Sequence, residues 1–454
     1  MRKLLVANRG EIAIRVVRAA REMGIPTVAV CSEPDVEALH ARAADEHVVI
    51  GPAAAARSYL DVDAVLEAAA EVGADAVHPG YGFLSERADF AERLDQAGIT
   101  FVGPSAEAIR LMGDKALARS TAAHAGVPTV PGSDGPVAGV PEALDVAAEI
   151  GYPVAVKAAA GGGGRGIRVV GTPEELRTAV PTAQAEAAAA FGHGEVYLER
   201  FVEYAHHVEV QVFGDGSRFL HLGERECSLQ RRRQKILEEA PSPSITAQVR
   251  EAMTAAAVRL AAEVSYRGAG TVEFLYDPDH HDFFFIEMNT RIQVEHPITE
   301  MVTGRDLVRE QLSVAAGNPL SFTQEDVEVR GHSIELRLNA EDPAMQFMPS
   351  PGPLEVMRMP AGPFVRIDSG YEQGSAVSPY YDSLLAKVIV WDDNRPRALA
   401  RARRALDEVH IVGVQTTAPF LREVLDLPEV VEGRYHSTFL EAWMADSAKT
   451  RETA

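Results

Sequence analysis

Cysteine is nearly absent: the 454 residues contain two, Cys31 and Cys227. Two thiols without paired spacing exclude a disulfide scaffold and a cysteine-rich zinc site, and they fit a reducing compartment. Positive charge is also scarce, with 44 Lys and Arg against 66 Asp and Glu and a net charge of -22. An acidic chain of this kind is poorly matched to a phosphate backbone or an anionic membrane, although a local basic pocket can sit inside it. No apolar stretch reaches membrane-spanning length, and the opening MRKLLVANRGE contains no long apolar run. A cytoplasmic protein is expected, with no nucleic-acid and no membrane partner. Internal repeats are missing too, beyond Ala-rich helical stretches.

What is present is a globular balance, 46% hydrophobic and 24% charged, in a chain long enough for two or three cores. KLLVA and PTVAVC read as strands flanking GEIAIRVVRAAREMG, whose apolar positions recur at helical spacing before a glycine stop. ADAVHPG and TFVGP continue the alternation, so the first hundred residues predict a parallel βαβ sheet. NRGEIA lacks the three glycines of a dinucleotide fingerprint, so it carries little weight as a NAD site. The Pro- and Gly-rich GVPTVPGSDGPVAGVP marks a passage into a new unit, after which strands dominate from about Val202 to Val390.

In FFFIEMNTRIQVEHP, an apolar run gives way to polar groups at every second position: Glu287, Asn289, Arg291, Gln293 and Glu295. On an extended strand these five share one face, opposite Met288, Thr290, Ile292 and Val294. A solvated outer face would show the same alternation. The Phe283–Ile286 run favours a strand entering a core. GAGTVEFLYDPDHHDFFFIEMN reads as two strands joined by a polar turn, which sets Glu273 beside Glu287; His280 and His281 sit in the turn and are expected to be solvated. Two carboxylates and an amide oxygen are hard ligands, suited to magnesium shared with nucleotide phosphates rather than to zinc.

In YPVAVKAAAGGGGRGIRVVG, Lys157 precedes the glycines and a strand follows them, which is not a P-loop. A glycine loop between strands can turn several amides onto one anion and close as a lid; a flexible hairpin tip is the alternative. CSLQRRRQKILEEAP gathers Arg231, Arg232, Arg233 and Lys235, as a surface patch or an anion pocket. Lid, carboxylates and basic pocket together suit phosphoryl transfer.

The motifs ANRGEIA, HPGYGFLSE, GDK, GGGGRG, HVEVQV, CSLQRRRQK, GAGTVEF, FIEMNTRIQVEHP, RLNAEDP and YYDSLLAKVI follow one another over essentially the whole chain. In that set and that order the chain resembles the biotin carboxylase subunit of biotin-dependent acyl-CoA carboxylases, members of the ATP-grasp superfamily. The resemblance implies an ATP-grasp fold of mixed α/β and α+β class. Its parts would be an N-terminal parallel βαβ domain over residues 1–113, a linker-helix region 114–131, and a mobile Gly-loop lid 132–202. A larger C-terminal mixed domain, 203–446, and a polar tail, 447–454, would complete it.

Family roles follow by position. Lys115, Lys157, Gly161, Gly162, Gly163, Gly164, Gly166, Glu199, His207, Gln230, Arg233, Leu275 and Ile286 are assigned to ATP, with Arg200 and Val202 near the adenine. Glu273, Glu287 and Asn289 would hold Mg²⁺, or Mn²⁺ in its place. Lys235, Arg291, Gln293, Val294 through its backbone, and Glu295 would surround bicarbonate, Glu295 as the base. Arg337 and Tyr81 would face biotin. Ser333, Glu335, Arg337 and Asn339 share a strand face, so Glu335 is expected to orient the Arg337 guanidinium.

The implied reaction is ATP-dependent carboxylation of biotin by bicarbonate through carboxyphosphate. No A-M-K-M type lysine occurs, so biotin is expected on a carrier protein and the carboxyltransferase on another polypeptide, with this chain in a homodimer or larger assembly. Arg233 and Arg200 replace the His and Lys of many relatives; arginine keeps charge and donors, so activity is expected, and the replacement bears only on the contribution of Arg233 to the nucleotide contact. Cys227 is assigned to packing, since the chemistry needs no thiol. Another ATP-grasp ligase would share the lid and carboxylates but lack HPGYGFLSE and the NTRIQVEHP row. A silent nucleotide-binding scaffold would be expected to lose Glu295 or Lys235, and both are present.

Overall fold

The computed structural model describes residues 1–158, 167–191 and 194–452. The chain opens with strands β1 (Leu4–Val6), β2 (Thr27–Cys31), β3 (Glu46–Val49), β4 (Ala76–His78) and β5 (Thr100–Phe101), paired in parallel in the order β3-β2-β1-β4-β5. Helix α1 (Gly10–Glu22) places Ile12, Val16 and Val17 in the core beside Leu4 and Val6. Its Arg15 turns the other way, to Glu300 at 2.8 Å and Asp306 at 2.6 Å, which ties this sheet to the C-terminal half. The backbones meet closely there: a Cβ on Gly370 would lie 2.9 Å from Cα of Gly10.

After helix α2 (Lys115–His124), strands β6 (Val154–Ala158), β7 (Ile167–Val170) and β8 (Val196–Arg200) form a small antiparallel sheet with its own core around Val154, Val156 and Leu198. The larger sheet contains β9 (His206–Asp215), β10 (Phe219–Arg231), β11 (Gln234–Ala240), β12 (Arg267–Asp277) and β13 (Asp282–Asn289). Strands β14 (His332–Asn339), β15 (Val365–Ser369) and β16 (Leu384–Asp392) complete it, in the order β13-β12-β9-β10-β11-β14-β16-β15.

Helix α3 (Ala247–Glu263) covers the β9–β12–β13 end through Met253, Ala257 and Leu260, packed on Val210, Val272 and Phe274. Helices α5 (Arg395–Glu408) and α6 (Ala418–Val424) cover the far end through Leu399, Ala402 and Leu421, on Leu336 and Val388. The opposite face of that end is charged and lies under helix α4 (His296–Thr303).

Candidate active site

The expected strand row is broken in the middle. Strand β13 ends at Asn289; residues 290–295 form a bend and turn, and Glu295 is the residue before α4. Only Glu287 and Asn289 reach the site as strand residues. Arg291, Gln293 and Glu295 arrive from the turn, which Glu86 holds by accepting from the Thr290 amide and from Nε of Arg291 at 2.9 Å. Alternation in sequence survives because a packed wall beneath the turn still demands apolar Ile292, which is fully buried.

Strand β13 also carries one extra residue. Phe274 pairs with Phe285 and Glu273 with Glu287, so Ile286 bulges between them. The bulge lets Phe285 join the core under α3 while Glu287, two residues later, faces Glu273 at the cleft.

These elements wall a cleft of about 1670 Å³ between the N-terminal sheet, the small sheet and the large sheet. Lys115, Lys157, Glu199, His207, Gln230 and Arg233 line one part of it. Leu275, Ile286, Glu273, Glu287 and Asn289 line its β12–β13 edge, and Lys235, Arg291, Gln293, Val294, Glu295, Arg337 and Tyr81 its floor. Arg200 is not brought there: it pairs with Asp277 at 2.9 Å and with Asp282, at the β12–β13 turn, and Val202 is likewise absent from the lining. His280 accepts part of that contact, with Nδ1 2.9 Å from Arg200 and from Asp277, so it is a turn residue with partners. Gly161, Gly162, Gly163, Gly164 and Gly166 lie outside the described residues.

Charge in the floor is densely paired. Nζ of Lys235 lies 2.6 Å from both Glu209 and Glu295 and 3.4 Å from Glu273. Nη2 of Arg337 donates to Oε2 of Glu295 at 3.0 Å. Burial would raise the Glu295 pKa, but Lys235, Arg337 and Arg225 outweigh it and hold the carboxyl well below the usual range. Arg225, fully buried, spends all its donors: on Glu209 at 2.6 Å, Gln211 at 2.7 Å, Thr299 at 2.9 Å, Thr271 at 3.1 Å and Gln293 at 2.7 Å. Glu86, Glu209 and Arg225 were not singled out from sequence. For Glu209 the signal exists in HVEVQV, where His207, Glu209 and Gln211 alternate as the ligand row does.

Near the small sheet, Glu199 is held by Lys157 and by Arg119 at 3.0 Å. Arg119, one turn along α2 from Lys115, was missed because an isolated helical arginine has no distinguishing pattern. Arg231 stacks on the Phe347 ring, 3.8 Å from its centroid, and Arg233 stays exposed at the β10–β11 tip.

The carboxylates fit a hard divalent cation at one position. Among the described residues Glu287 accepts a single long hydrogen bond, 3.5 Å from Asn289, and burial with the charges of Glu273 and Glu86 pushes its pKa up. An added cation would relieve that repulsion. The His207–Glu209–Glu273 and Glu209–Cys227–Glu295 groups are close enough to ligate as well, but Lys235 and Arg225 already neutralise them. Cys227 is fully buried and its thiol is pushed well up by burial and Glu209, consistent with packing.

The parallel N-terminal sheet, glycine-linked small sheet and carboxylate-edged large sheet define an ATP-grasp fold. Family models agree along the chain: biotin carboxylase N-terminal domain at residues 1–109, carbamoyl-phosphate synthase L chain ATP-binding domain at 114–323, and biotin carboxylase C-terminal domain at 335–442. Biotin carboxylase 1 of Bacillus subtilis is 54% identical over 98% of this chain and 99% of its own length. A pyruvate carboxylase subunit from Methanothermobacter thermautotrophicus is 50% identical over 97% of this chain and 90% of its own length. Among solved structures, the biotin carboxylase domain of a thermophilic 2-oxoglutarate carboxylase bound to ADP superposes with a TM-score of 0.91 at 48% identity, covering 97% of this chain and 98% of that one. The chain belongs to the biotin carboxylase family, ATP-dependent ligases that use ATP, Mg²⁺ and carrier-borne biotin.

Proposed function

We propose that the chain performs the first half-reaction of an acyl-CoA carboxylase, carboxylating biotin on a separate carrier through carboxyphosphate. The observation that supports the biotin-carboxylating part of this reading is the buried Glu295, held between Lys235 and Arg337 on the cleft floor. Lys115, Lys157, His207, Gln230 and Arg233 take the nucleotide, with Glu199, Leu275 and Ile286 around its base and ribose. Glu273, Glu287 and Asn289 would hold magnesium, which when bound would neutralise charge on the ATP phosphates.

Bicarbonate enters between Lys235, Arg291, Gln293 and the Val294 backbone. Its oxygens draw Lys235 away from Glu295, whose basicity then rises, so the carboxylate accepts the bicarbonate proton as the freed oxygen attacks the γ-phosphorus. Carboxyphosphate yields CO₂ and phosphate; phosphate takes the proton of the biotin ureido nitrogen. Arg337 stabilises the enolate-like oxygen of biotin while the nitrogen attacks CO₂. Tyr81 offers biotin its ring, since its hydroxyl is taken by Glu11.

Biotin arrives on a carrier protein and leaves to a carboxyltransferase subunit. The chain works as a homodimer, the arrangement in which the biotin carboxylase domain of the Hydrogenobacter thermophilus 2-oxoglutarate carboxylase is recorded. A cytoplasmic location is consistent with the lack, among the described residues, of a helix long and apolar enough to cross a membrane.

The test is ATP hydrolysis by the purified chain with and without bicarbonate, then with free biotin. Hydrolysis should require bicarbonate and rise with biotin; hydrolysis indifferent to bicarbonate sinks the reading. The acceptor is tested by co-purifying the transferase and comparing acetyl-CoA and propionyl-CoA with pyruvate and 2-oxoglutarate. Turnover confined to the oxo acids would overturn the acyl-CoA assignment alone.

A further inference from the structure

Glu335, two residues from Arg337, does not orient the guanidinium. Its oxygens, like those of Glu238, make no hydrogen bond among the described residues, and of the two carboxylates only Glu238 comes within ion-pair distance of Arg337. The carboxylate that touches Nη2 of Arg337 from within the protein is Glu238, on the neighbouring strand β11. Glu238 and Glu335 are directly opposed in the β11–β14 register, and neither has any solvent exposure. Their strands turn Leu237 and Leu336 to the core under α5 and α6, so the two carboxyl groups project together from the other face, toward α4.

Arg337 is thus bracketed by two carboxylates of different kinds. Glu295 faces the cleft and, on the reading above, becomes neutral when it accepts the bicarbonate proton. At that moment Arg337 loses its front partner, just before biotin needs it. Glu238 sits behind, where no ligand reaches.

We infer that Glu238 is a positioning residue for the biotin stage, holding Arg337 at the biotin subsite while Glu295 is protonated. The inference rests on the roles given above to Arg337 and Glu295. The Glu238–Glu335 pair gains and loses no proton in the step; the proton that moves goes from bicarbonate to Glu295.

The surroundings agree with one negative charge on the pair. Arg337 and Glu335 face Glu238 from β14, Lys235 from its own strand and Glu295 from the head of α4; Lys387 of β16 acts on Glu335, and His296 of α4 is engaged elsewhere, with Nδ1 2.7 Å from the Gln293 carbonyl and Nε2 3.9 Å from Glu300. Burial pushes both carboxyls up, Glu238 to about 7 with Arg337 acting against the rise, so the two do not ionise together.

The test is Glu238→Gln, which keeps shape and removes charge, assayed beside Arg337→Ser. Bicarbonate-dependent ATP cleavage is measured without biotin, and carboxylation with free biotin. For Glu238→Gln, kcat for biotin carboxylation should fall about tenfold or more, as expected when one partner of a buried ion pair is removed, while ATP cleavage falls by no more than about threefold. Glu238→Asp, which keeps the charge on a shorter arm, should recover part of the loss and serves if the glutamine variant does not fold.

Equal losses in both assays, or no loss in either, with Arg337→Ser still selective for the biotin stage, would reduce Glu238 to a core group and overturn the inference. If Arg337→Ser itself is unselective, the role of Arg337 fails, and the inference fails with it.

Discussion

Nζ of Lys387 donates a 2.7 Å hydrogen bond to the carbonyl oxygen of Val294 and lies 3.0 Å from Oε1 of Glu11. One buried ammonium therefore joins the YYDSLLAKVI strand, the turn before α4 and the first helix, and Tyr81 reaches the same Glu11 oxygen. Burial opposes the charge, but Glu11, Glu335 and Asp368 more than offset it and raise the pKa. Lys387→Met should cost about 3–5 kcal/mol, because the carboxylates it serves stay buried. In the folded fraction the KM for bicarbonate should rise as the turn loosens. Urea denaturation with bicarbonate titration checks both; wild-type values in both would show the ammonium to be dispensable.

Glu287→Gln is expected to lower ATP turnover by about 2–3 kcal/mol in barrier, since in the proposed role a charged oxygen next to metal and phosphate becomes neutral. Because burial and Glu273 raise the Glu287 pKa, magnesium has to displace a proton as pH falls. Apparent magnesium affinity should therefore weaken toward acid pH in the wild type and less steeply in the variant. Near-normal turnover at ordinary magnesium would remove Glu287 from the metal site.

Arg337→Ser should slow biotin carboxylation by about 2–4 kcal/mol, the scale of one preorganised oxyanion donor, and spare more of the bicarbonate-dependent ATP cleavage. The comparison of the two rates on one preparation decides it. A uniform loss would mean that Arg337 serves Glu295 rather than biotin.

Glu239 supplies a stability test remote from the chemistry. Its carboxylate accepts from Arg395 at 2.7 and 2.9 Å and meets His332 and the Tyr435 hydroxyl, all in the interior. Burial would raise its pKa, yet His332 and Arg395 bring it down to about 2. A depressed carboxylate stabilises the fold above the ordinary value near 4.5 and loses that contribution as pH falls toward 2. Glu239→Gln should cost about 3–5 kcal/mol at neutral pH, and the deficit should shrink between pH 4.5 and 2. Denaturation midpoints across that interval check it; a deficit independent of pH would point to lost packing instead.

The sequence made the local parts legible. Helical spacing in GEIAIRVVRAARE and the short apolar runs around it specify the parallel sheet, and the carboxylates of GTVEF and FIEMN meet across β12 and β13 as read. What failed were relations between strands distant in sequence. Glu335 is nearer Arg337 in the chain, but Glu238 touches it, because the pairing of β11 with β14 is decided by their shared apolar face. The straight row ended at Asn289 for a similar reason: Glu86, some 200 residues earlier, captures the Thr290 amide and stops the ladder. Arg200 went to Asp277 because the two opposite charges meet at adjoining strand ends.

The extra residue at Ile286 makes strand β13 a phase switch. Ahead of it, Phe283 and Phe285 at odd positions belong to the interior; past it, the odd positions Glu287 and Asn289 belong to the ligand edge. Side chains on a strand count in twos, so each insertion or deletion shifts the count by half a cycle. This segment can therefore vary in what its residues are more readily than in how many there are. A shift of one would bring Ile286 or Met288 to the proposed metal edge and drive a carboxylate into the core.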